Sequence, residues 1–435
     1  MVRGAAEEVV VRRRCGCGSP WYRRALVAVA AAVVLAAVGC EGSSERAGGT
    51  TTTASAQPTP DGSAPASAPR GPAPPAGAHR GAGSPRPSSF SFASTVVDAS
   101  LPGSLDNKAV GDLDGDGLPD IAVGTDSRLV WYRAPGWARS EIAAGHNFTT
   151  DMQAADVDGD GDTDLVTPHY DEGTVVWYRN PARGGGGWTP VEIGRPGTAH
   201  DVEVGDVDGD RRLDVVTRGH AGPTTLFRQS DPGSWQAVTI SAAPSSEGTA
   251  LGDLDRDGRL DIVQNGYWLA APADVTAGHA WTRHTFAPGW DEGFVAVTVG
   301  DLDRDGRLDV VLARSESEGR MAWYEAPPDP RSGGWVEHRI DDDVDFVHTF
   351  EVADMDGDGD DDVVFAEMQQ SSRRRVGIFR NDGGGRAWSY VALSGGGSHN
   401  VRVADIGMDG DLDVVGANWQ GGPVELWEQT GRPAG

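Results

Sequence analysis

Cysteine is almost absent from this chain, with three in 435 residues. Cys15 and Cys17 precede an apolar run and would be lost with it on cleavage, which leaves the folded part without an internal disulfide. Their CxC spacing is too short and isolated for a zinc site. Export without disulfides calls for another staple, and a bound metal is one. Lysine is scarcer: Lys108 stands alone beside 36 arginines, a bias expected of GC-rich codons and a bacterial source. Between residues 92 and 429 no 3.6-period stretch is long enough for a substantial helix. GxSxG, HExxH and P-loop signatures are all missing, which removes the commonest hydrolase, metalloprotease and nucleotide-binding readings. The formal net charge of −28 speaks against a nucleic-acid partner.

That acidity is concentrated. The segment GDLDGDGLPDIAVG (111–124) places four aspartates within nine residues and then turns apolar. The pattern Asp-x-Asp-x-Asp-Gly-x-x-Asp-apolar begins at Asp112, Asp156, Asp206, Asp253, Asp301, Asp354 and Asp405, with spacings of 44, 50, 47, 48, 53 and 51 residues. A fixed period of this length marks a repeat architecture. Two copies deviate: Arg211 replaces the glycine of the third, and Gly407 replaces the second aspartate of the seventh.

Carboxylates at positions 1, 3 and 5 of a tight loop converge on one point. Position 7 adds a backbone carbonyl, and glycine at position 6 permits the turn, as in the first part of an EF-hand loop. Here the loop closes early, on an aspartate at position 9. The expected ligands of up to seven Ca²⁺ ions are therefore Asp112, Asp114, Asp116, Leu118 and Asp120 in the first loop, and Asp156, Asp158, Asp160, Asp162 and Asp164 in the second. The third and fourth supply Asp206, Asp208, Asp210, Arg212 and Asp214, then Asp253, Asp255, Asp257, Arg259 and Asp261. The fifth and sixth supply Asp301, Asp303, Asp305, Arg307 and Asp309, then Asp354, Asp356, Asp358, Asp360 and Asp362. The seventh has only Asp405, Asp409, Asp411 and Asp413, and should bind most weakly. A solvated acidic turn without metal is the competing reading of any single copy.

The flanks predict strands rather than the helices of an EF-hand. Each loop follows an alternating segment such as DVEVGD and leads into DIAVG, DLVTP, DVVTR or a close variant. Then come a strand ending in aromatics (LVWYRAP, VVWYRNP, MAWYEAP) and a fourth such as WARSEI or WTPVEI. Four short strands per repeat predict an all-β, seven-bladed propeller with the acidic loops between inner strands. The last repeat stops after its third strand, near Trp427. FASTVV, Phe92 to Val97, is expected to supply the missing strand of blade seven and remove the exposed edge.

These loops and this period resemble the FG-GAP or VCBS repeats of integrin α-subunit-like propellers. The similarity runs from about Phe92 to Gln429, although the FG-GAP tag itself is poorly kept. The resemblance implies seven blades, with Ca²⁺ held on the lower face by the loop between the two inner strands.

The first quarter of the chain reads differently. Arginines at 12–14, 23 and 24 precede a 14-residue apolar run, Ala25–Val38, too short for the roughly 20 residues of a membrane span. It ends in AAVGC, which resembles a bacterial lipobox, so residues 1–40 are expected to be a lipoprotein signal with Cys40 as the lipidated residue. Ordinary secretion is the alternative. Residues 41–89 are mostly Ser, Thr, Pro, Ala and Gly, with almost no large apolar residue, and cannot bury a core, so a disordered tether is expected before a propeller at 90–430. The protein is expected at the outer face of a bacterial membrane, as a monomer.

On the face opposite the acidic loops, the inner-strand starts and the loops after each second strand should meet in a funnel. The candidate ligand-binding residues are His169, Tyr170, His200, Asp201, His220, Tyr267, Trp268, His348, His399, Asn400, Asn418 and Trp419. Aromatic faces with carboxylates and amides suit a sugar. A propeller channel is also polar simply because it is wet, and a second metal on His200, His348 and His399 is a further alternative. Two functions follow: a surface-tethered binding module for a glycan or protein, or a carbohydrate-active enzyme resembling aldos-2-ulose dehydratases or polysaccharide lyases. The WYRNP…HDVEVGDVDGD arrangement looks closest to the dehydratases, but their cupin-type domain is absent and no catalytic residue stands out, so the module is the preferred reading.

Overall fold

The run after each acidic loop becomes the second strand of a four-stranded antiparallel sheet. Asp120–Gly124, Asp164–His169, Asp214–Gly219, Asp261–Gln264, Asp309–Arg314, Asp362–Glu367 and Asp413–Ala417 are buried almost throughout. Burial on both faces explains why they read as continuous apolar runs rather than alternating ones. In this computed structural model, which describes residues 91–181, 187–220, 222–241, 247–290 and 293–431, seven such sheets form a seven-bladed β-propeller. The expected signal segment (1–40), Cys40 and the tether (41–89) lie outside the described residues. The only described helical turns are two three-residue 3₁₀ turns, and none is long and apolar enough to cross a membrane.

The first strands line the axis. They are Asn107–Gly111, Gln153–Ala155, Ala199–Gly205, Ala250–Gly252, Val295–Gly300, Val347–Ala353 and Asn400–Ala404, in blades 1 to 7. Each touches the first strands on either side, blade 7 and blade 1 included. Seven apolar clusters fill the seven interfaces between blades. Between blades 7 and 1, for example, Val415, Val424 and Leu426 pack with Ile121, Val123 and Tyr132. The outer strand of blade 7 is Phe92–Asp98, which pairs antiparallel with Val424–Gln429 from Phe92 opposite Gln429. Lys108 lies across this seam, fully buried. Its Nζ donates to the carbonyls of Asp106 (2.7 Å), Ala417 (3.0 Å) and Asn400 (3.2 Å). Burial depresses its pKa well below the ordinary lysine value.

Candidate functional site

The acidic loops repeat one hydrogen-bonded turn. In the first, Asp112 accepts from the N–H groups of Asp116 (3.0 Å) and Gly117 (2.9 Å), and Asp116 accepts from Leu118 (3.0 Å). The residue at position 6 has positive φ throughout, from +92° at Gly117 to +70° at Arg211, the one non-glycine there. A side chain at such a φ costs roughly 1–2 kcal/mol. Position 4 is also left-handed, including Arg256 (+60°), Arg304 (+61°) and Met408 (+54°).

Position 9 has a structural task in all seven loops. One oxygen of Asp120 accepts from Leu113 N–H (3.0 Å) and the other from Ala134 N–H (2.8 Å). The same pair of bonds recurs at Asp164, Asp214, Asp261, Asp309, Asp362 and Asp413. This aspartate ties the loop start to the end of the third strand. Burial pushes Asp120 and Asp164 up to about 6, and Asp362 up to about 8. Three position-7 arginines make a related tie: the Nε of Arg212, Arg259 and Arg307 donates to a carbonyl at the end of the third strand.

Positions 1, 3 and 5 carry the remaining carboxylates of the repeated pattern, except at Gly407. Oδ1 of Asp158, Asp206, Asp255 and Asp354 is buried without a hydrogen-bond donor, which costs free energy unless a cation meets it. The seventh loop keeps the same turn, with Asp405 accepting from Asp409 and Gly410 at 3.0 Å, despite lacking the position-3 carboxylate. Backbone geometry therefore does not require that carboxylate. These all-oxygen donor sets fit Ca²⁺. In several loops an arginine pairs with these same carboxylates: Arg133 is 2.5 Å from Asp114, and Arg179 is 2.7 Å from Asp158.

At the opposite end of the inner strands a cavity of about 300 Å³ opens on the axis. Its wall includes His200, Asp201, Glu247, His348 and Asn400, with a lower belt of Asp151, Glu203, Glu351 and Arg402. His200 and His348 each sit at a register shift in their strand pairing, a β-bulge. Bulges re-aim side chains, and here both imidazoles reach Glu247. Nε2 of His220, His200 and His348 lies 3.3, 3.4 and 3.7 Å from Glu247 Oε2. Ser315 Oγ donates to Oε1 of the same carboxylate. His399 stacks on His348 with ring centres 4.1 Å apart, and its Nδ1 is 3.8 Å from Asp106.

Burial alone would raise the Glu247 carboxyl, but the imidazoles of His200 and His348 override it and hold it well below the usual carboxylate range. His200 is opposed by burial yet pushed up to about 9 by Glu247 and Asp201. His348 falls to about 4 through burial and the charge on His200. In the lower belt, Arg402 meets Asp151 at 2.9 Å and Glu351 at 3.4 Å.

The structure gathers His200, Asp201, His220, His348, His399 and Asn400 around or beside the axis, with the Tyr170 hydroxyl 3.4 Å from His220 at the rim. Five expected residues lie elsewhere. Tyr267 and Trp268 belong to a third strand, Tyr267–Ala270, and are buried between blades, where apolar area is covered by the next blade. His169 Nε2 is 2.8 Å from the Tyr178 hydroxyl and its ring stacks on His146, a satisfied core arrangement. Asn418 Nδ2 donates to the Gly396 carbonyl (2.7 Å), and Trp419 Nε1 to Gln370 (3.3 Å), on a loop away from the cavity wall. Glu247 is not among the candidates named from the sequence, and neither are Arg402, Glu203 and Glu351. The last three stand three places before their loop's first aspartate, where the remaining repeats carry Ala, Gln or Thr. That contrast was a readable signal.

The FG-GAP-like repeat model matches residues 112–167, 156–217, 301–365 and 354–416, together about half of the chain. No curated protein matches. Among solved structures, the V. cholerae biofilm matrix protein Bap1 aligns at 11% identity and TM-score 0.48, over 79% of this chain and 92% of that one. BBS1N, solved in complex with ARL6DN, aligns at 11% identity and TM-score 0.51, over 78% and 97%. At this identity the likeness to BBS1N concerns the fold alone.

Proposed function

Because this chain belongs to the FG-GAP-like repeat family, we propose that it is a calcium-binding module that holds a carbohydrate or protein ligand at the axial cavity. Ca²⁺ occupies the acidic loops and rigidifies the ring from one face. Cys40 carries a lipid that tethers the propeller outside a bacterial membrane, through residues 41–89. The observation that carries the reading is the axial cavity: about 300 Å³, walled by carboxylate, imidazole, amide and guanidinium groups from several different blades. Such convergent polar groups recognise hydroxyl-rich or charged ligands. Binding of the calcium-loaded protein to a glycan array tests it. Selective binding lost in Asn400→Ala supports the module, and binding to none of the glycans, with none to surface proteins of the same cell, would refute it.

A second reading is favoured by one feature. Glu247 and two imidazoles at 3.3–3.4 Å form an acid–base set in a partly enclosed pocket, as a carbohydrate lyase would need. Turnover of an array hit, abolished in Glu247→Gln, would move the assignment from module to enzyme.

A further inference from the structure

The geometry points to a transition-metal centre of the zinc class at the top of the axial cavity, held by Nε2 of His200, Nε2 of His348 and Oε2 of Glu247. It is separate from the calcium loops and independent of what the module binds.

The distances decide between a hydrogen-bonded cluster and a metal cage. Charge-assisted N–H···O bonds run about 2.7–2.9 Å. The contacts to Glu247 Oε2 are 3.4 Å from His200 and 3.7 Å from His348. Ligands about 2.0–2.1 Å from one ion, at tetrahedral to trigonal angles, lie about 3.3–3.6 Å apart. The His200 contact falls within that edge length and the His348 contact lies just beyond it, both longer than a charge-assisted hydrogen bond. The three donor atoms all lie within 4.8 Å of one another, and all three residues are buried.

The surrounding groups behave as outer-shell partners. His200 Nδ1 is 3.0 Å from Asp201 Oδ1, a contact that orients the ring with Nε2 facing Glu247. Ser315 bonds Glu247 Oε1 and leaves Oε2 to face the imidazoles. His220, 3.3 Å from Oε2 and more exposed, contacts the same carboxylate from outside the three-residue group. Two imidazoles and a carboxylate suit Zn²⁺ or its neighbours rather than the hard Ca²⁺ of the loops. Binding displaces a proton from the cluster. The sequence signature is compact: His200, Glu247 and His348 each stand six residues before the first aspartate of their loop, so the ring places them at one level.

The test uses the full chain, stripped of metal, saturated with Ca²⁺ so that the oxygen-only loops are filled, and titrated with Co²⁺. The expected result is one tightly bound equivalent with the intense visible band of a four- or five-coordinate ion, displaced by Zn²⁺ and without a thiolate charge-transfer band. Glu247→Gln and His348→Gln should abolish the band. His169→Gln, in the separate His146–His169–Glu172 group, should keep it. No band in the wild type, a band unchanged in Glu247→Gln, or a band lost in a folded His169→Gln would each overturn the proposal. Should a variant fail to fold, X-ray absorption of the zinc-loaded wild type decides. Imidazole back-scattering supports the site, and an oxygen-only shell refutes it.

Discussion

At one end of the inner strands the same aspartates return blade after blade. At the other end, the residue six places before each loop is Asp106, Thr150, His200, Glu247, Val295, His348 and His399 in turn. The uniform end performs a task each blade needs: closing a turn and tying it to the third strand. The varied end performs a task done once for the whole ring. In a propeller, repetition marks scaffold and departure from repetition marks the site, because only the axis lets different blades act on one point.

The largest expected effect lies on the uniform face. With dissociation constants of roughly 10⁻⁴–10⁻³ M, millimolar Ca²⁺ adds about 0.4–1.4 kcal/mol per site, several kcal/mol over the ring. Chelation should lower the thermal midpoint and millimolar Ca²⁺ restore it, with Asp405→Asn changing the midpoint least among position-1 variants. Identical melts with and without chelator would leave the uniform face a mere turn motif and break the comparison.

Next comes a challenge from the varied end. Arg402 is the guanidinium that holds Asp151 and Glu351 together in the wall of the cavity. Arg402→Met should cost about 3–5 kcal/mol in denaturant unfolding, because buried carboxylates lose their counter-charge. Glu351→Gln in the same background should recover part of it. A loss under 1 kcal/mol would show that the axial groups are free of structural duty, which would sharpen the division between the two ends.

The smallest effect tests the one irregular turn. Arg211→Gly removes the left-handed strain at the only non-glycine position 6 and should stabilise by about 0.5–1 kcal/mol, net of the added unfolded-state entropy. Arg211→Ala should show no gain. Equal midpoints for the glycine variant and wild type would mean that the loop relaxes around the arginine.

What the sequence determined by itself is everything with a local period. The seven loops, four strands per unit and the positive φ at position 6 follow from contacts between residues close in the chain. The aromatic third strands were legible as strands, yet Tyr267 and Trp268 read as cavity residues, because their burial is decided by the neighbouring blade. The double backbone tie at position 9 was equally hidden, since Ala134 and Asp120 meet only after the sheet forms. The meeting of Glu247 with His200, His220 and His348 was decided by tertiary structure alone. These residues come from blades 3, 4 and 6 and are up to 148 positions apart. Their convergence rests on closure of the ring and on two bulges that turn His200 and His348 toward the axis. A period in the chain fixes what each blade looks like. Which side chains share the axis depends on how seven blades pack, and that is set by apolar interfaces spanning the whole molecule.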